Sequence, residues 1–169
     1  MSEPFVFPEA TFGRFAREVA KYPADQSQSA VMACLSIIQQ EFGHVSPESE
    51  KALAAYLGMP AIAVHEVTTF YNMYNQHPVG RFKINVCTNL PCQLRDGQAA
   101  LVHLCERLGV AEGETTSDGV FTVQQSECLG ACGDSPVLLV NDRQMCSFMS
   151  HQRIDALVDL LKSQAGSSS

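Results

Sequence analysis

Hydrophobic residues in the first half of the chain recur at the spacing of amphipathic helices. From Val31 to Phe42 they fall three or four positions apart, which places them on one helical face, and Gly43 follows where a C-cap belongs. Ser46 and Pro47 form the N-cap and first position typical of another helix. The pattern predicts four short helices, over residues 8–22, 31–42, 47–57 and 60–68. Short helices joined by short links favour a small bundle.

From about residue 80 the pattern changes to strands and helices in alternation. Phe82, Ile84 and Val86 alternate with other residues, as in a strand with one buried face. An apolar stripe that stops at Gly109 predicts a helix, and Ser150 is placed to cap a last one. Further strands are predicted over residues 120–123, 136–140 and 144–148. The order β-α-β-β-β-α indicates a compact α/β sheet with flanking helices.

Composition and charge narrow the class of protein. The chain has 169 residues, of which 46% are hydrophobic and 17% charged, as in a soluble globular protein with one domain or one domain and a small annex. Its 11 basic and 18 acidic residues give a net charge of −7, which creates no field to attract nucleic-acid phosphates. We therefore expect no nucleic acid among its partners.

The sequence contains neither a membrane span nor a targeting segment. The longest uncharged apolar run, residues 52–64, contains Gly58 and Pro60 and is shorter than the roughly 20 apolar residues that cross a bilayer. Residues 1–5 lack the cationic and apolar regions of a secretory signal. We expect a cytoplasmic chain with no direct membrane insertion, whose contact with any membrane runs through other subunits.

Cysteine is the unusual feature of the composition. The chain has seven cysteines, at Cys34, Cys87, Cys92, Cys105, Cys128, Cys132 and Cys146. An odd count in a chain expected to be cytoplasmic argues against a disulfide framework. Metal binding or redox chemistry is the more common use of cysteine in that setting.

Four of the cysteines form two close pairs. Cys87 and Cys92 are separated by four residues, and Cys128 and Cys132 by three. Each pair follows a predicted strand in a loop containing glycine or proline, so two thiolates can converge on one metal ion without ordering a long segment. Four thiolates suit a structural zinc ion or a [2Fe–2S] cluster, and the spacing fits both. A thioredoxin-type redox site requires Cys-x-x-Cys, which no two cysteines here provide.

The remaining reactive side chains do not suggest a second site. Cys34 and Cys105 lie within apolar helical stripes and Cys146 in a predicted strand, so we expect all three to serve packing. None of the five histidines stands at metal-binding spacing from another, and no Ser/His/Asp or paired-carboxylate arrangement indicates a catalytic residue. The phosphate-binding Gly-x-Gly-x-x-Gly and P-loop motifs are missing too, so a flavin or dinucleotide is not expected to be held mainly by this chain.

Four segments together resemble a known protein family. They are residues 67–74 (VTTFYNMY), 78–80 (PVG), 86–92 (VCTNLPC) and 127–133 (ECLGACG). In this order they are similar to the thioredoxin-like [2Fe–2S] subunit of the NADH-oxidising module of respiratory NADH:quinone oxidoreductase (complex I), which bears the letter E in bacteria. Related chains occur in NAD-linked hydrogenases and formate dehydrogenases. The similarity extends from about residue 22 to residue 162.

The resemblance implies a fold and a division of the chain. The implied fold class is α/β, with a thioredoxin-like [2Fe–2S] ferredoxin domain over residues 79–163 preceded by a small N-terminal helical bundle over residues 1–78. Residues 164–169 are expected to form a disordered tail. Thioredoxin-like folds often place a cis proline before a strand near the redox loop, so the resemblance also predicts a cis bond between Ser135 and Pro136.

The resemblance implies the cofactor and its ligands as well. Cys87 and Cys92 are expected to bind one iron of a [2Fe–2S] cluster, and Cys128 and Cys132 the other. Cys146 falls outside this ligand pattern. The four ligand cysteines are therefore the predicted cofactor-binding and metal-binding residues, and no catalytic residue is predicted.

The implied function is single-electron transfer within an oxidoreductase and translocase. FMN and NADH are expected on a partner subunit of the same complex, with other peripheral-arm subunits as further partners and no complete substrate site in this chain. The complex is expected to hold the chain at the periphery of the inner membrane. Three alternatives stay open: the equivalent subunit of an NAD-linked hydrogenase or formate dehydrogenase, a structural zinc module, and a thiol–disulfide enzyme.

Overall fold

Helices build the first part of the chain, and a mixed sheet with helices builds the second. The structure, a computed structural model, describes residues 5–166. The chain divides after Pro78 into two units, each with a hydrophobic core of its own.

Within residues 5–78 the structure has four α-helices. They are α1 (Glu9–Val19), α2 (Val31–Phe42), α3 (Pro47–Leu57) and α4 (Ala61–Phe70), with a 3-10 turn at Ser27–Ala30 before α2. The predicted signals set their ends, since Ser46 accepts a hydrogen bond from the Ser49 backbone N–H and Gly43 adopts a φ of 78°. Helix α1 ends before the predicted residue 22, because the chain passes into short turns ahead of Pro23.

The core of the first unit combines aliphatic helix faces with a group of aromatic rings. Phe7 packs edge-to-face on Phe15 with ring centroids 5.1 Å apart, and Phe12 contacts both rings. Cys34, Leu35 and Ile38, on the predicted apolar stripe of α2, are fully buried. Each buried side chain of the size of leucine contributes about 1.5–3 kcal/mol to the free energy of unfolding, so this unit has a substantial core.

The second unit is built on a four-stranded sheet within residues 79–166. Its elements are β1 (Phe82–Cys87), α5 (Leu90–Gln93), α6 (Gly97–Leu108), β2 (Phe121–Ser126), β3 (Leu138–Val140), β4 (Gln144–Cys146) and α7 (His151–Gly166). The strand order is β2-β1-β3-β4, with β1 parallel to β2 and antiparallel to β3, and β4 antiparallel to β3. The predicted α/β class and the predicted order of the main elements are confirmed.

One face of this sheet carries the core of the second unit. Ile84 and Val86 of β1 are fully buried, as their alternation predicts. They share one hydrophobic cluster with Leu104 of α6 and with Ile154 and Val158 of α7. The sheet and its two longer helices therefore form a packed layer that fixes where the strands end.

The parallel pairing of β1 and β2 brings two loops to the same edge of the sheet. In register, Cys87 at the end of β1 is the partner of Ser126 at the end of β2. The chain leaves Cys87 toward Cys92 and leaves Ser126 toward Cys128. The two cysteine-bearing loops consequently begin side by side.

Some features lie beyond the sequence prediction or refine it. Helix α5 is a single turn without a periodic signal, and it places Cys92 on a helix instead of in an open loop. The Ser135–Pro136 bond is cis, as predicted. Helix α7 continues to Gly166, three residues into the expected tail, while residues 167–169 lie outside the described part of the chain. None of the helices within residues 5–166 has the length and apolar character needed to cross a bilayer.

Candidate metal centre

The structure brings the four predicted ligand cysteines together at one edge of the sheet. Cys87 is the last residue of β1, and Cys92 lies in α5. Cys128 comes two residues after the end of β2, and Cys132 begins a 3-10 turn, Cys132–Asp134. Neighbouring parallel strands thus supply one pair each.

The sulfur atoms approach one another as pairs. Cys128 Sγ and Cys132 Sγ are 3.4 Å apart, and the thiols of Cys87 and Cys92 are also in hydrogen-bond contact. The pKa of Cys132 is raised mainly by its hydrogen bond with Cys128. Negative charge on Cys87 and Cys92 raises that pKa further, so the two pairs lie within electrostatic reach of each other.

Backbone N–H groups point at the cysteine sulfurs. The N–H groups of Asn89 and Leu129 hydrogen-bond Cys87 Sγ, and that of Gly130 donates to Cys128 Sγ at 3.4 Å. Burial raises the pKa of Cys87, and its two N–H donors oppose the increase because they stabilise the thiolate. Leu129 belongs to the second loop, so its bond to Cys87 also ties the two loops together. Such donors suit sulfur atoms that carry negative charge on a metal.

Further contacts hold the two loops in place. The Asn89 side-chain amide donates to Glu127 Oε2 at 2.8 Å, and the Thr88 backbone N–H donates to the Ser126 carbonyl at 3.2 Å. Gly130 adopts a φ of 78°, in the left-handed region that favours glycine. The turn between Cys128 and Cys132 therefore depends on glycine at this position.

The two pairs differ in their exposure to solvent. Cys87 and Cys92 are each 1% exposed and form a small apolar cluster with Val137. Cys128 and Cys132 are exposed. A group held by all four sulfurs has one pair of ligands shielded from water and the other pair at the surface.

Ser135 connects the first pair to the second loop. Its Oγ lies 3.2 Å from Cys92 Sγ and donates a hydrogen bond to the Cys132 carbonyl at 2.7 Å. Ser135 is 1% exposed. The sequence singles out Ser135 only for its bond to Pro136. A contact between residues 43 positions apart leaves no local pattern to find.

The donor set fits a [2Fe–2S] cluster. Such a cluster is held by cysteine thiolates, two on each iron, and the structure offers four sulfurs as two pairs with N–H donors around them. Structural zinc instead requires four ligands around a single point. Within residues 5–166, no three His, Cys, Asp or Glu side chains converge in a way that holds one metal ion.

The other three cysteines serve packing, as predicted. Cys34 is fully buried in the core of the first unit, and burial raises the pKa of its thiol to about 12. Cys105 and Cys146 are partly buried against the core of the second unit. Burial raises the pKa of both thiols, which is typical of unreactive cysteines.

Comparison with characterised proteins gives closely related sequences. A model of the family described as thioredoxin-like [2Fe-2S] ferredoxin matches residues 15–162. The chain is 40% identical over 140 residues to the E 2 subunit of an NADH-quinone oxidoreductase of Rhizobium meliloti, a match that covers 83% of this chain and 82% of the relative. It is 37% identical over 139 residues to NADH-quinone oxidoreductase subunit 2 of Thermus thermophilus, covering 82% and 77%.

A solved structure shares the fold. The crystal structure of an NAD+-reducing [NiFe]-hydrogenase in the air-oxidised state matches with a TM-score of 0.66 at 23% sequence identity. The match covers 77% of this chain but only 23% of the hydrogenase chain, so it concerns the fold of one region of a longer protein. The family model covers most of this chain, and the two relatives are similar over most of their length. The chain belongs to the thioredoxin-like [2Fe–2S] ferredoxin family, as its sequence motifs predict.

Proposed function

We propose that this chain is the electron-transfer subunit of the NADH-oxidising module of an NADH:quinone oxidoreductase. In this proposal Cys87, Cys92, Cys128 and Cys132 hold its [2Fe–2S] cluster. The observation that carries the proposal is the meeting of two cysteine pairs on loops from neighbouring parallel strands. Family membership supports the cofactor, and relatives named as subunits of NADH-quinone oxidoreductase support the setting.

The protein's part in this function is to hold, shield and tune the electron carrier. When bound, the cluster accepts and passes on one electron at a time. Backbone N–H groups of Asn89, Leu129 and Gly130 stabilise the negative charge of the sulfurs. Burial of Cys87 and Cys92 keeps water from one side, while the exposed Cys128–Cys132 pair gives electrons a short path to the surface.

The proposal assigns the two-electron chemistry to a partner. Hydride transfer from NADH requires a group such as a flavin that takes two electrons and releases them singly. The sequence has no glycine-rich phosphate-binding motif, so we place FMN and NADH on a partner subunit of the same complex. Other peripheral-arm subunits are further partners, and the complex joins the chain to the cytoplasmic face of the inner membrane.

The test captures the tagged full chain from cells that make it. A flavin-bearing chain should co-purify, and NADH should then reduce the cluster and give a paramagnetic signal in low-temperature EPR. The matched control is the isolated chain with its cluster. Dithionite should reduce that cluster and NADH should not, because no flavin is present.

Three results contradict the proposal in different ways. Reduction of the isolated chain by NADH places the hydride acceptor in this chain. A colourless chain that contains zinc favours the structural module. Co-purification with a nickel-containing chain moves the assignment to an NAD-linked hydrogenase.

A further inference from the structure

We infer that Ser135 is a positioning residue whose hydroxyl donates a hydrogen bond to the Cys92 sulfur when the cluster is bound and thereby raises the reduction potential. The inference rests on the proposed function, because it takes Cys92 and Cys132 as ligands. It adds a tuning role for a side chain that is not itself a ligand.

The position of the hydroxyl carries the inference. Ser135 Oγ is 3.2 Å from Cys92 Sγ and 2.7 Å from the Cys132 carbonyl oxygen. Both Ser135 and Cys92 are 1% exposed, so water does not compete for either group. In surroundings of low dielectric constant, a hydrogen bond acts more strongly on a nearby charge than it does in water.

The ligand state of Cys92 decides which way the hydroxyl proton points. In the free thiol, the Cys92 S–H can donate to Ser135 Oγ while the serine proton goes to the Cys132 carbonyl. A thiolate on iron has no proton to donate. A serine proton left on the carbonyl then turns the oxygen lone pairs toward an anionic sulfur. Donation to that sulfur removes this repulsion and forms a charge-assisted hydrogen bond, which is stronger than one to a neutral carbonyl.

The same hydrogen bond favours reduction. Adding an electron makes the cluster and its sulfurs more negative, so a donor stabilises the reduced state more than the oxidised state. Removal of the donor should therefore lower the potential. The hydroxyl also spans the two ligand loops, since it contacts a sulfur of one loop and a backbone carbonyl of the other.

The experiment measures the reduction potential of the full chain with its cluster by EPR-monitored redox titration. In Ser135→Ala, reduction should become three- to tenfold less favourable, a lowering of about 30–60 mV by the one-electron relation. Ser147→Ala is the matched control. Its hydroxyl is in the same region but donates to Asp134 Oδ2 at 3.0 Å and is exposed, so its loss should leave the potential unchanged.

A pair of variants of equal size guards against a purely structural effect. Ser135→Thr keeps the hydroxyl, and Ser135→Val has the same shape without it. The valine variant should titrate at a lower potential than the threonine variant, whatever both lose in stability. Iron content and the visible spectrum are measured on each variant to establish that the cluster is intact.

The outcomes separate this inference from the proposed function. A lower potential in Ser135→Ala and in Ser135→Val relative to Ser135→Thr supports the role of the hydroxyl. Equal potentials in the threonine and valine variants, or in wild type and Ser135→Ala, overturn that role while the ligand assignment stands. A wild-type chain that holds no [2Fe–2S] cluster overturns both.

Discussion

Each cysteine owes its chemistry to its immediate neighbours. Cys34 sits among apolar side chains with no donor to stabilise a thiolate, and its pKa is raised to about 12. Cys87 is equally buried but has the backbone N–H groups of Asn89 and Leu129 directed at its sulfur. The same residue type is thus a packing group in one place and a suitable metal ligand in another.

Substitution of single ligands should distinguish these roles. Serine in place of Cys87, Cys92, Cys128 or Cys132 should remove or alter the visible absorption and the EPR signal of the reduced chain. Cys105→Ser and Cys146→Ser are the matched controls, and both should keep the wild-type spectra because neither belongs to a pair. An unchanged spectrum in Cys128→Ser would count against the ligand set.

The pKa of Cys34 predicts its reactivity. At pH 8 a thiol with a pKa of about 12 is ionised in about one molecule in ten thousand, and only the thiolate is alkylated. In the cluster-free folded chain, iodoacetamide should therefore label Cys34 about a hundredfold more slowly than the exposed Cys128. Denaturant should abolish the difference, because the pKa returns to about 8.5 on unfolding. Peptide mass spectrometry measures both rates, and equal labelling in the folded chain would contradict the burial of Cys34.

Among the structural elements, the start of α6 is packed most tightly against the ligand loop. A Cβ atom added at Gly97 would lie 2.8 Å from the carbonyl oxygens of Cys87 and Cys92, which are backbone atoms that cannot swing away. Glycine at this position therefore lets α6 approach the turn that carries Cys92.

Gly97→Ala should consequently disturb both stability and the site. We expect the free energy of unfolding to fall by about 1–3 kcal/mol, with a lower iron content per chain, as overpacking forces the backbone to shift. Denaturant unfolding and metal analysis measure the two effects. Gly13→Ala in α1 is the control, since nothing lies within 4 Å of its added Cβ, and it should be neutral or stabilise the helix by about 0.5–1 kcal/mol. A neutral Gly97→Ala would show that α6 can move away freely.

The elements show how far the sequence alone can be taken. The apolar stripe of α2, the cap at Ser46 and the alternation along β1 are local patterns, and each predicts its element. Helix α5 was missed because four residues are too few to show a helical period. The pairing of β1 with β2 and the contact of Ser135 with Cys92 join distant positions, which no local pattern records.

For the molecule as a whole, folding and cofactor binding are largely separate. Each unit has its own hydrophobic core, and the small cluster around Cys87 and Cys92 is distinct from both. Metal binding is therefore expected to order the ligand loops without creating the fold.

Removal of iron should show this separation. After chelation under reducing conditions, far-UV circular dichroism should keep most of its helical signal, while the thermal midpoint falls because a group that binds only the folded state is lost. The control is the same treatment of Cys128→Ser, which should show a smaller fall because less cluster is present to lose. Collapse of the helical signal on chelation would contradict the independence of the two cores.

The content of iron, zinc and acid-labile sulfide in the purified full chain tests the cysteine site as a whole. We predict about two irons and two sulfides per chain, with no stoichiometric zinc, because the four thiolates are arranged as two pairs. One zinc ion per chain without sulfide would contradict the site and, with it, the electron-transfer function.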